Sequence, residues 1–294
     1  MDSVRIWLMA ARPRTLPAGV APVLVGTALA AADGSFHPFT FLAALLGAIF
    51  IQIGANLSND YSDARRGADT DDRLGPVRVT AGGLVPPKTV LIAVYVTFAL
   101  AVACGAYLIA VAGWGILAIG AASILAGVLY TGGPRPYGYD GLGDLFVFLF
   151  FGLVAVTGSY YVQTRDVSWE ALAFAVPVGL LAAAILAVNN IRDAATDARA
   201  GKRTLAVRLG RERMRGGYAL ELAVAQLAPL LIWAAGGADA WMLLTLGTAP
   251  MGAVLARTVA EHDDGPTLNA ALARTGLLQL LFCVLVSAAV LLGR

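Results

Sequence analysis

Carboxylate and amide side chains form two similar clusters, each placed where an apolar stretch gives way to a polar one. The clusters consist of Asn56, Asn59, Asp60 and Asp63 in the first half of the chain, and of Asn189, Asp193 and Asp197 in the second. Both include the pattern Asp-Ala-Arg-x-Gly, at 63–67 and at 197–201. The repetition indicates two copies of one device, and a pseudo-repeat of this kind can aim both copies at one cavity.

Helical spacing places the members of each cluster on one helix face. Asn56, Asp60 and Asp63 are separated by four and three residues, and the second cluster repeats the four-residue step. Neighbouring carboxylates repel each other, so the arrangement favours a bound cation. Oxygen ligands without His or Cys are typical of Mg²⁺. We predict that the four carboxylates are catalytic and bind Mg²⁺, and that the asparagines beside them contact substrate; the carboxylates are Asp60, Asp63, Asp193 and Asp197.

Basic residues lie beside both acidic clusters. They are Arg65 and Arg66 after the first cluster, and Arg192, Lys202 and Arg203 around the second. Four carboxylates, two Mg²⁺ ions and a diphosphate leave a charge of about −3 for such cations to neutralise. A site that only stored metal would not need them. The sequence therefore favours a diphosphate substrate contacted by Arg66, Lys202 and Arg203. The alternative is that these charges only set the orientation of the helices.

Two further polar features lie between the predicted helices. Gly and Pro favour a tight, rigid turn at 130–144, which contains Arg135 and Tyr139. There a cation can bind an anionic substrate, and a ring face can stabilise a carbocation; anchoring of the tyrosines at the membrane interface is the alternative. The sequence Arg-Pro-Arg-Thr-Leu-Pro at 12–17 can bind a phosphate, an aromatic acid or anionic lipid headgroups.

The elements that position these residues are membrane helices. Of the 294 residues, 59% are apolar and 14% are charged, and the mean hydropathy is +0.74. Soluble proteins carry about 25% charged residues, so this composition excludes an ordinary soluble enzyme. Nine apolar stretches approach spanning length, at about 16–32, 38–58, 88–109, 113–131, 144–163, 170–189, 216–235, 239–258 and 272–293. Only helices suit this pattern. We therefore predict an all-α polytopic membrane protein, one domain over 1–294, with nine transmembrane helices around a central lipid-accessible cavity.

Lys and Arg residues are distributed unevenly between the predicted loops. Nineteen of the 21 lie on the side of the N-terminus, and the exceptions are Arg165 and Arg294. Positive charge marks the cytoplasmic side, so we predict a cytoplasmic N-terminus, location in the cell inner (cytoplasmic) membrane, and an active site facing the cytoplasm. Residues 2–12 are predicted to form an amphipathic helix on the membrane surface. The net charge of +2 gives no reason to expect a nucleic-acid partner, and none is predicted.

These features resemble the UbiA superfamily of intramembrane prenyltransferases. The resemblance rests on two Asp-rich motifs on the second and sixth of nine membrane helices, and it extends from residue 11 to about 210. The stretches that carry it lie at 11–17, 56–67, 72–76, 130–144, 158–163 and 189–204. Within the superfamily they are most similar to the members that prenylate 1,4-dihydroxy-2-naphthoate in menaquinone synthesis.

The resemblance implies Mg²⁺-dependent transfer of a polyprenyl group from polyprenyl diphosphate to 1,4-dihydroxy-2-naphthoate. The carboxylate would leave as CO₂, and the product would be demethylmenaquinone. Asp60 and Asp63 would correspond to the first metal motif, and Asp193 and Asp197 to the second. The common family pattern has a further acid where this chain has Gly67. The candidates to complete the first site are Asp69, Asp71 and Asp72.

Two alternatives stay open at the level of sequence. One is prenylation of another aromatic acceptor, such as 4-hydroxybenzoate, or haem farnesylation. The other is a membrane carrier for polyprenyl phosphate or divalent cations, since carriers also use repeats and intramembrane acids. The clustering of the acids at one end of the helices disfavours a translocation path.

Overall fold

The computed structural model describes residues 2–69 and 74–293, and within these ranges the chain is entirely helical and irregular, without strands. The predicted all-α fold is therefore confirmed. The helices are α1 (Ser3–Ala11), α2 (Leu16–Ala32), α3 (Pro38–Arg65), α4 (Pro87–Ala112), α5 (Gly115–Leu129), α6 (Gly143–Val147), α7 (Ala155–Thr164), α8 (Trp169–Arg199), α9 (Leu205–Leu209), α10 (Arg211–Ala234), α11 (Ala249–Glu261) and α12 (Gly265–Leu292). A π-helical turn (Phe148–Val154) joins α6 to α7, and 3₁₀ segments precede α2 (Pro13–Thr15) and α11 (Ala240–Thr248).

Eight helical segments in the described ranges are long and apolar enough to cross a membrane. The ninth predicted crossing is α5, an apolar helix of 15 residues. At about 1.5 Å per residue α5 is roughly 22 Å long, shorter than a hydrocarbon core of about 30 Å. The count of nine therefore stays a prediction. The chain at 2–12 forms α1, which the left-handed Arg12 (φ 52°) separates from α2.

The helix ends follow local sequence. Proline occupies the first turn of α3 and of α4, where its missing N–H removes no intrahelical hydrogen bond. The Ser168 hydroxyl caps α8 by accepting from the Glu170 N–H at 3.1 Å, and the Asp264 carboxylate caps α12 by accepting from the Thr267 N–H at 2.8 Å. Both acidic clusters lie at the opposite, C-terminal ends of long helices, in the last turns of α3 and α8.

Helix α8 is the centre of the bundle and packs against α2, α7, α10, α12 and the π-helical turn. Two close approaches depend on glycine. A Cβ on Gly26 of α2 would lie 2.2 Å from the Val156 carbonyl oxygen of α7, and a Cβ on Gly152 would lie 2.6 Å from the Gly179 Cα of α8. The first approach packs α2 on α7, and the second packs α8, which carries the second acidic cluster, backbone to backbone on the π-helical turn.

The connecting segments meet in two groups, one at each end of the bundle. At one end, Arg66 Nε donates to the Thr131 carbonyl at 3.1 Å, and the Arg203 N–H donates to the Tyr139 carbonyl at 2.7 Å. At the other end, the His37 N–H donates to Gln163 Oε1 at 2.7 Å. The loops that charge counting assigned to one side thus lie at one end, called here the basic end. The compartment that the basic end faces stays a prediction.

Candidate active site

A cavity of about 480 Å³ opens among α2, α3, α4, α5, α7 and α8, with polar residues toward the basic end and apolar residues beyond them. The polar lining includes Arg12, Thr15, Gln52, Asn56, Asn59, Asp63, Arg78, Tyr139, Asn189, Asn190, Asp193, Asp197 and Lys202. The apolar lining includes Ala44, Ile51, Val102, Leu108, Ile116 and Phe150. One chamber therefore offers charged groups for an anionic head and hydrocarbon surface for a tail.

The two acidic clusters meet at Lys202. Its ammonium nitrogen lies 3.2 Å from Asp63 Oδ2 and 4.0 Å from Asp197 Oδ1. Asp63 is 1% exposed and Lys202 is 9% exposed. The structure thus brings carboxylates from both motifs to one buried cation, although they are 134 residues apart in sequence.

Tyr139 supports Asp63 from the turn between α5 and α6. Its hydroxyl donates to Asp63 Oδ1 at 2.7 Å, and the Lys202 nitrogen lies 4.8 Å from the centre of its ring. Burial, and then the negative charge of Asp63, raise the pKa of Tyr139 above the ordinary phenol value. The phenol is therefore neutral at physiological pH and acts as a donor.

Asp60 does not line the cavity. Its two carboxylate oxygens accept from the Val79 N–H at 3.1 Å and from the Thr80 N–H at 2.9 Å, and it is 2% exposed. The reason is angular. At about 100° per residue, Asp63 is offset by about −20° from Asn56, whereas Asp60 is offset by about +40°. Asp63 and Asn56 consequently face the cavity, and Asp60 faces the loop after α3.

In the second cluster a buried arginine holds Asp193. Arg192 donates from Nε to Asp193 Oδ1 at 2.8 Å and from Nη2 to Oδ2 at 2.5 Å, and it is 1% exposed. Its Nη2 also donates to Asn189 Oδ1 at 2.8 Å. Asp193, Asn189 and Asp197 all line the cavity, as the four-residue spacing predicted.

The remaining predicted residues divide into two groups. Asn59 lines the cavity and accepts from the Thr131 hydroxyl at 3.0 Å. Arg66 does not line the cavity, and its side chain donates to the carbonyls of Thr131 and Gly133. The side chains of Arg135 and Arg203 are exposed at the basic end and do not line the cavity either.

Of the acids proposed to complete the first site, Asp69 has Oδ1 3.5 Å from Arg78 Nε and is not part of the cavity lining. Asp71 and Asp72 lie outside the described residues.

Comparisons with known proteins identify the family. The UbiA prenyltransferase family model matches residues 19–292. This chain belongs to the UbiA prenyltransferase family. It is 42% identical over 294 residues to the 1,4-dihydroxy-2-naphthoate octaprenyltransferase of Mycobacterium tuberculosis, covering 100% of this chain and 99% of the relative. It is 39% identical to the Escherichia coli enzyme of the same name, covering 94% of this chain and 91% of the relative. The resemblance seen in the sequence is thereby confirmed, and the chain is a prenyltransferase.

Solved structures of UbiA homologues share the fold. The homologue from Archaeoglobus fulgidus bound to GPP and Mg²⁺ gives a TM-score of 0.69 at 16% identity, covering 97% of this chain and 99% of that chain. The apo homologue from Aeropyrum pernix gives 0.68 at 15% identity, covering 94% and 97%. At these identities the likeness concerns the fold.

Arg78 is a cavity residue of this UbiA protein that the sequence did not single out. Its side chain is 9% exposed and its Nη2 lies 3.5 Å from Asp63 Oδ2. Its Nη1 has no hydrogen-bond partner among the described residues, and its Nε makes only the 3.5 Å ion pair with Asp69 Oδ1. A buried guanidinium with unused donors is suited to an anion. In the sequence Arg78 was one of many loop charges, and only the fold shows that it turns inward.

A second polar group lies at the junction of α1, α2 and α3. Asn56 Nδ2 donates to the Ala11 carbonyl at 3.0 Å and to Thr15 Oγ1 at 3.1 Å, and Gln52 Nε2 lies 3.3 Å from Thr15 Oγ1. Arg12 Nη2 donates to the Asn56 carbonyl at 3.4 Å. Gln52 had a signal in the sequence, because it is one helical turn before Asn56 within an apolar run.

The carboxylates fit a metal that shares its ligands with substrate. In residues 2–69 and 74–293, no three His, Cys, Asp or Glu side chains lie close enough together to hold a metal ion alone. Mg²⁺ typically takes one or two carboxylates and completes its octahedron with water and phosphate oxygens. The oxygen donors of Asp63, Asp193 and Asp197 face one cavity, so Mg²⁺ held jointly with a diphosphate suits this donor set.

Proposed function

We propose that this chain transfers a polyprenyl group from polyprenyl diphosphate to 1,4-dihydroxy-2-naphthoate, with release of CO₂, giving demethylmenaquinone. The observation that carries the proposal is the single cavity in which both acidic motifs meet Lys202 at one end and apolar helix faces continue from it. The near full-length similarity to naphthoate octaprenyltransferases supports this acceptor.

The acidic motifs are proposed to hold the metal. Asp63, Asp193 and Asp197 would contribute carboxylate oxygens from the cavity wall, and Asp60 would act from behind it by fixing the 79–80 backbone. Bound Mg²⁺ would neutralise the diphosphate and make it a better leaving group. The metal-bound A. fulgidus homologues support this assignment.

Lys202 and Arg78 are the proposed diphosphate ligands. Both side chains are about nine-tenths buried and both contact Asp63. Buried cations act in a low dielectric, where they stabilise developing negative charge far more strongly than they do in water. Arg66, Arg135 and Arg203 lie outside the lining, and we propose that they attract the anionic substrate toward the basic end.

The acceptor is proposed to lie between the polar group at α1–α3 and the aromatic wall. Arg12, Thr15, Gln52 and Asn56 suit its carboxylate and hydroxyl groups. The Tyr137 and Phe146 rings stack with centres 4.1 Å apart and line the same cavity. Such ring faces bind a naphthalene and stabilise an allylic cation.

The bonding changes balance without an added oxidant or reductant when the product leaves as the quinol form of demethylmenaquinone. The quinone form follows only when a separate oxidant removes two electrons and two protons from this quinol. The allylic C–O bond breaks and its electron pair leaves with the diphosphate. The ring carbon that bears the carboxylate forms the new C–C bond. The bond to the carboxylate then breaks, its electrons restore the aromatic ring, and CO₂ departs. The chain's part is to orient the two substrates and to exclude water, which would trap the cation.

The proposed location is the cell inner membrane, with the basic end and the active site toward the cytoplasm. The helices that can cross a membrane support a multi-pass protein. The concentration of Lys and Arg at the basic end supports this orientation.

Prenyl transfer by the purified full-length chain tests the proposal. In lipid nanodiscs with geranylgeranyl or longer diphosphates and 1,4-dihydroxy-2-naphthoate, we expect a prenylated, decarboxylated product by mass spectrometry, formed with Mg²⁺ and abolished by EDTA. Transfer to 4-hydroxybenzoate in preference to the naphthoate would contradict the acceptor. Counterflow of polyprenyl phosphate in liposomes without a covalent product would contradict an enzyme.

A further inference from the structure

Asn269 in the second turn of α12 contacts partners from two distant parts of the chain. Its side-chain oxygen accepts from Arg192 Nη1 at 2.6 Å, and its amide nitrogen donates to the Leu74 carbonyl at 3.0 Å. Arg192 belongs to the second acidic cluster, and Leu74 begins the segment that leads to Arg78. One side chain on α12 therefore connects the two halves of the cavity wall.

The contact with Leu74 is supported by a second feature of α12. Gly265 is one helical turn before Asn269, and a Cβ there would lie 3.2 Å from both the Leu74 Cβ and its carbonyl oxygen. Glycine at 265 thus lets the backbone of α12 approach Leu74 closely enough for the Asn269 amide to reach it. Both residues lie on the same face of the helix.

The two partners of Asn269 each lead to cavity acids. Arg192 holds both oxygens of Asp193, and Asn269 and Asn189 occupy two of its remaining N–H directions. The segment after Leu74 donates to Asp60 from the 79–80 backbone and places Arg78 against Asp63. Asn269 does not line the cavity itself.

We propose that Asn269 is a positioning residue that acts through Arg192: it aims the Asp193 carboxylate at the metal-diphosphate site and fixes the second acidic motif relative to the 74–80 segment. This inference rests on the proposed function only in that the cavity binds a metal-diphosphate. It assigns a role to the last membrane helix, which carries none of the predicted site residues.

Binding, measured apart from turnover, tests the proposal. Mn²⁺ is titrated by electron paramagnetic resonance into the full-length protein in nanodiscs, with geranyl thiolodiphosphate as an unreactive substrate analogue. Replacement of a residue that orients a metal ligand typically weakens metal affinity about 10- to 100-fold. For Asn269→Ala we expect a rise of about tenfold in the apparent dissociation constant for Mn²⁺. In turnover, KM for the prenyl diphosphate should rise while KM for the naphthoate stays unchanged.

Matched variants separate positioning from folding. Thr267→Ala, on the same two turns of α12, changes only the cap contact with Asp264 and should leave Mn²⁺ binding unchanged. Asn269→Leu keeps a similar volume without the hydrogen bonds and should reproduce the binding loss if Asn269→Ala does not fold. Asn269→Gln, which retains both hydrogen-bonding groups, should lose less affinity than Asn269→Ala.

A double-mutant cycle tests the route through Arg192. Arg192→Lys should weaken Mn²⁺ binding, and adding Asn269→Ala to it should weaken binding no further. If the fold-losses in Mn²⁺ affinity of the two single variants multiply in the double variant, the proposal is overturned. It is also overturned if Asn269→Ala or Asn269→Leu loses thermal stability but binds Mn²⁺ as tightly as the wild type. If the wild type binds no Mn²⁺ with the analogue, the proposed function itself is wrong.

Discussion

Lys202 is the residue at which the two acidic motifs become one site. Its ammonium group lies between Asp63 and Asp197, so the carboxylates are partly neutralised before any substrate enters. Both the sequence and the structure point to this residue, but for different reasons. In the sequence Lys202 is one of several cations near acids, and the fold shows that it is buried between them whereas Arg203, the next residue, is exposed.

Replacing Lys202 tests its role. Lys202→Met keeps the length of the side chain and removes the charge, and loss of one preorganised charge contact typically lowers kcat by about 10²- to 10³-fold. We expect a loss of that size in prenyl transfer, measured by product formation in nanodiscs. Lys88→Met, at the exposed start of α4, is the matched control and should retain wild-type activity. Similar rates for both variants would contradict the assignment.

Tyr139 gives a second prediction at the residue scale. Tyr139→Phe removes the hydroxyl that donates to Asp63 at 2.7 Å while keeping the ring. A hydrogen bond to a charged group contributes about 1.5–3 kcal/mol, so kcat/KM should fall at least about tenfold. Because the pKa of Tyr139 is raised, its phenol stays protonated on the alkaline side of neutrality. The ratio of wild-type to Tyr139→Phe activity should therefore be constant from about pH 7 to pH 9.5.

An exposed tyrosine provides the control. Tyr95→Phe on α4 should leave kcat/KM unchanged. A wild-type to Tyr139→Phe ratio that collapses toward one above pH 8 would show that Tyr139 ionises there, contrary to the expected direction of its pKa.

At the scale of helices, the sequence predicted which elements carry the chemistry better than it predicted their faces. The acidic clusters do lie in the last turns of α3 and α8. The sequence predicted one common face for Asn56, Asp60 and Asp63, but only Asn56 and Asp63 face the cavity. A small angular offset turns Asp60 toward the loop after α3, where the backbone N–H groups at 79–80 donate to it. That competition is invisible without the fold.

The irregular helical segments also could not be predicted from the sequence. Apolar composition indicates a crossing at about 144–163 equally well for an α-helix and for α6, a π-helical turn and α7. The π-helical turn is stabilised by tertiary packing, since Gly152 allows the backbones of this segment and α8 to touch. Hydropathy averages over such local changes in winding.

Close helix packing gives the prediction at this scale. A Cβ at Gly26 would overlap the Val156 carbonyl at 2.2 Å, so Gly26→Ala must push α2 from α7. Overpacking of this kind typically costs about 1–3 kcal/mol. We expect a clear fall in the thermal unfolding temperature in detergent. A Cβ at Gly217 of α10 meets nothing within 4 Å, so Gly217→Ala should be neutral or slightly stabilising. Equal behaviour of the two variants would contradict the packing.

At the scale of the molecule, the cavity runs from charged to apolar surroundings, and its apolar part should select among prenyl chains. Gly105 of α4 lines it, and a Cβ there meets nothing within 4 Å. Gly105→Leu should therefore fill cavity space without disturbing the fold. We expect kcat/KM to fall more for long prenyl diphosphates than for geranyl diphosphate in competition assays. Leu100→Phe adds volume on an exposed part of α4 and should leave the preference unchanged.

The grouping of loops at two ends predicts the orientation. In a background with Cys104→Ala and Cys283→Ala, single cysteines at Asp166 and Glu261 place thiols at opposite ends. Both native side chains are exposed. With the basic end in the cytoplasm, a membrane-impermeant maleimide should label Asp166→Cys in intact spheroplasts and Glu261→Cys only after lysis. The reverse pattern would place the active site outside.

The continuity of charged and apolar lining in one chamber has an energetic consequence for how a lipid reagent is processed. Bringing a hydrocarbon chain out of the bilayer into water costs about 0.8 kcal/mol per methylene group, a sum that no plausible headgroup contact would recover for a long isoprenoid. In the proposed complex the pyrophosphoryl end would contact Lys202 while the remaining carbons stay in apolar surroundings. Turnover then needs only lateral diffusion of donor and quinol product within the membrane, and only the released inorganic anion and CO₂ have to enter water.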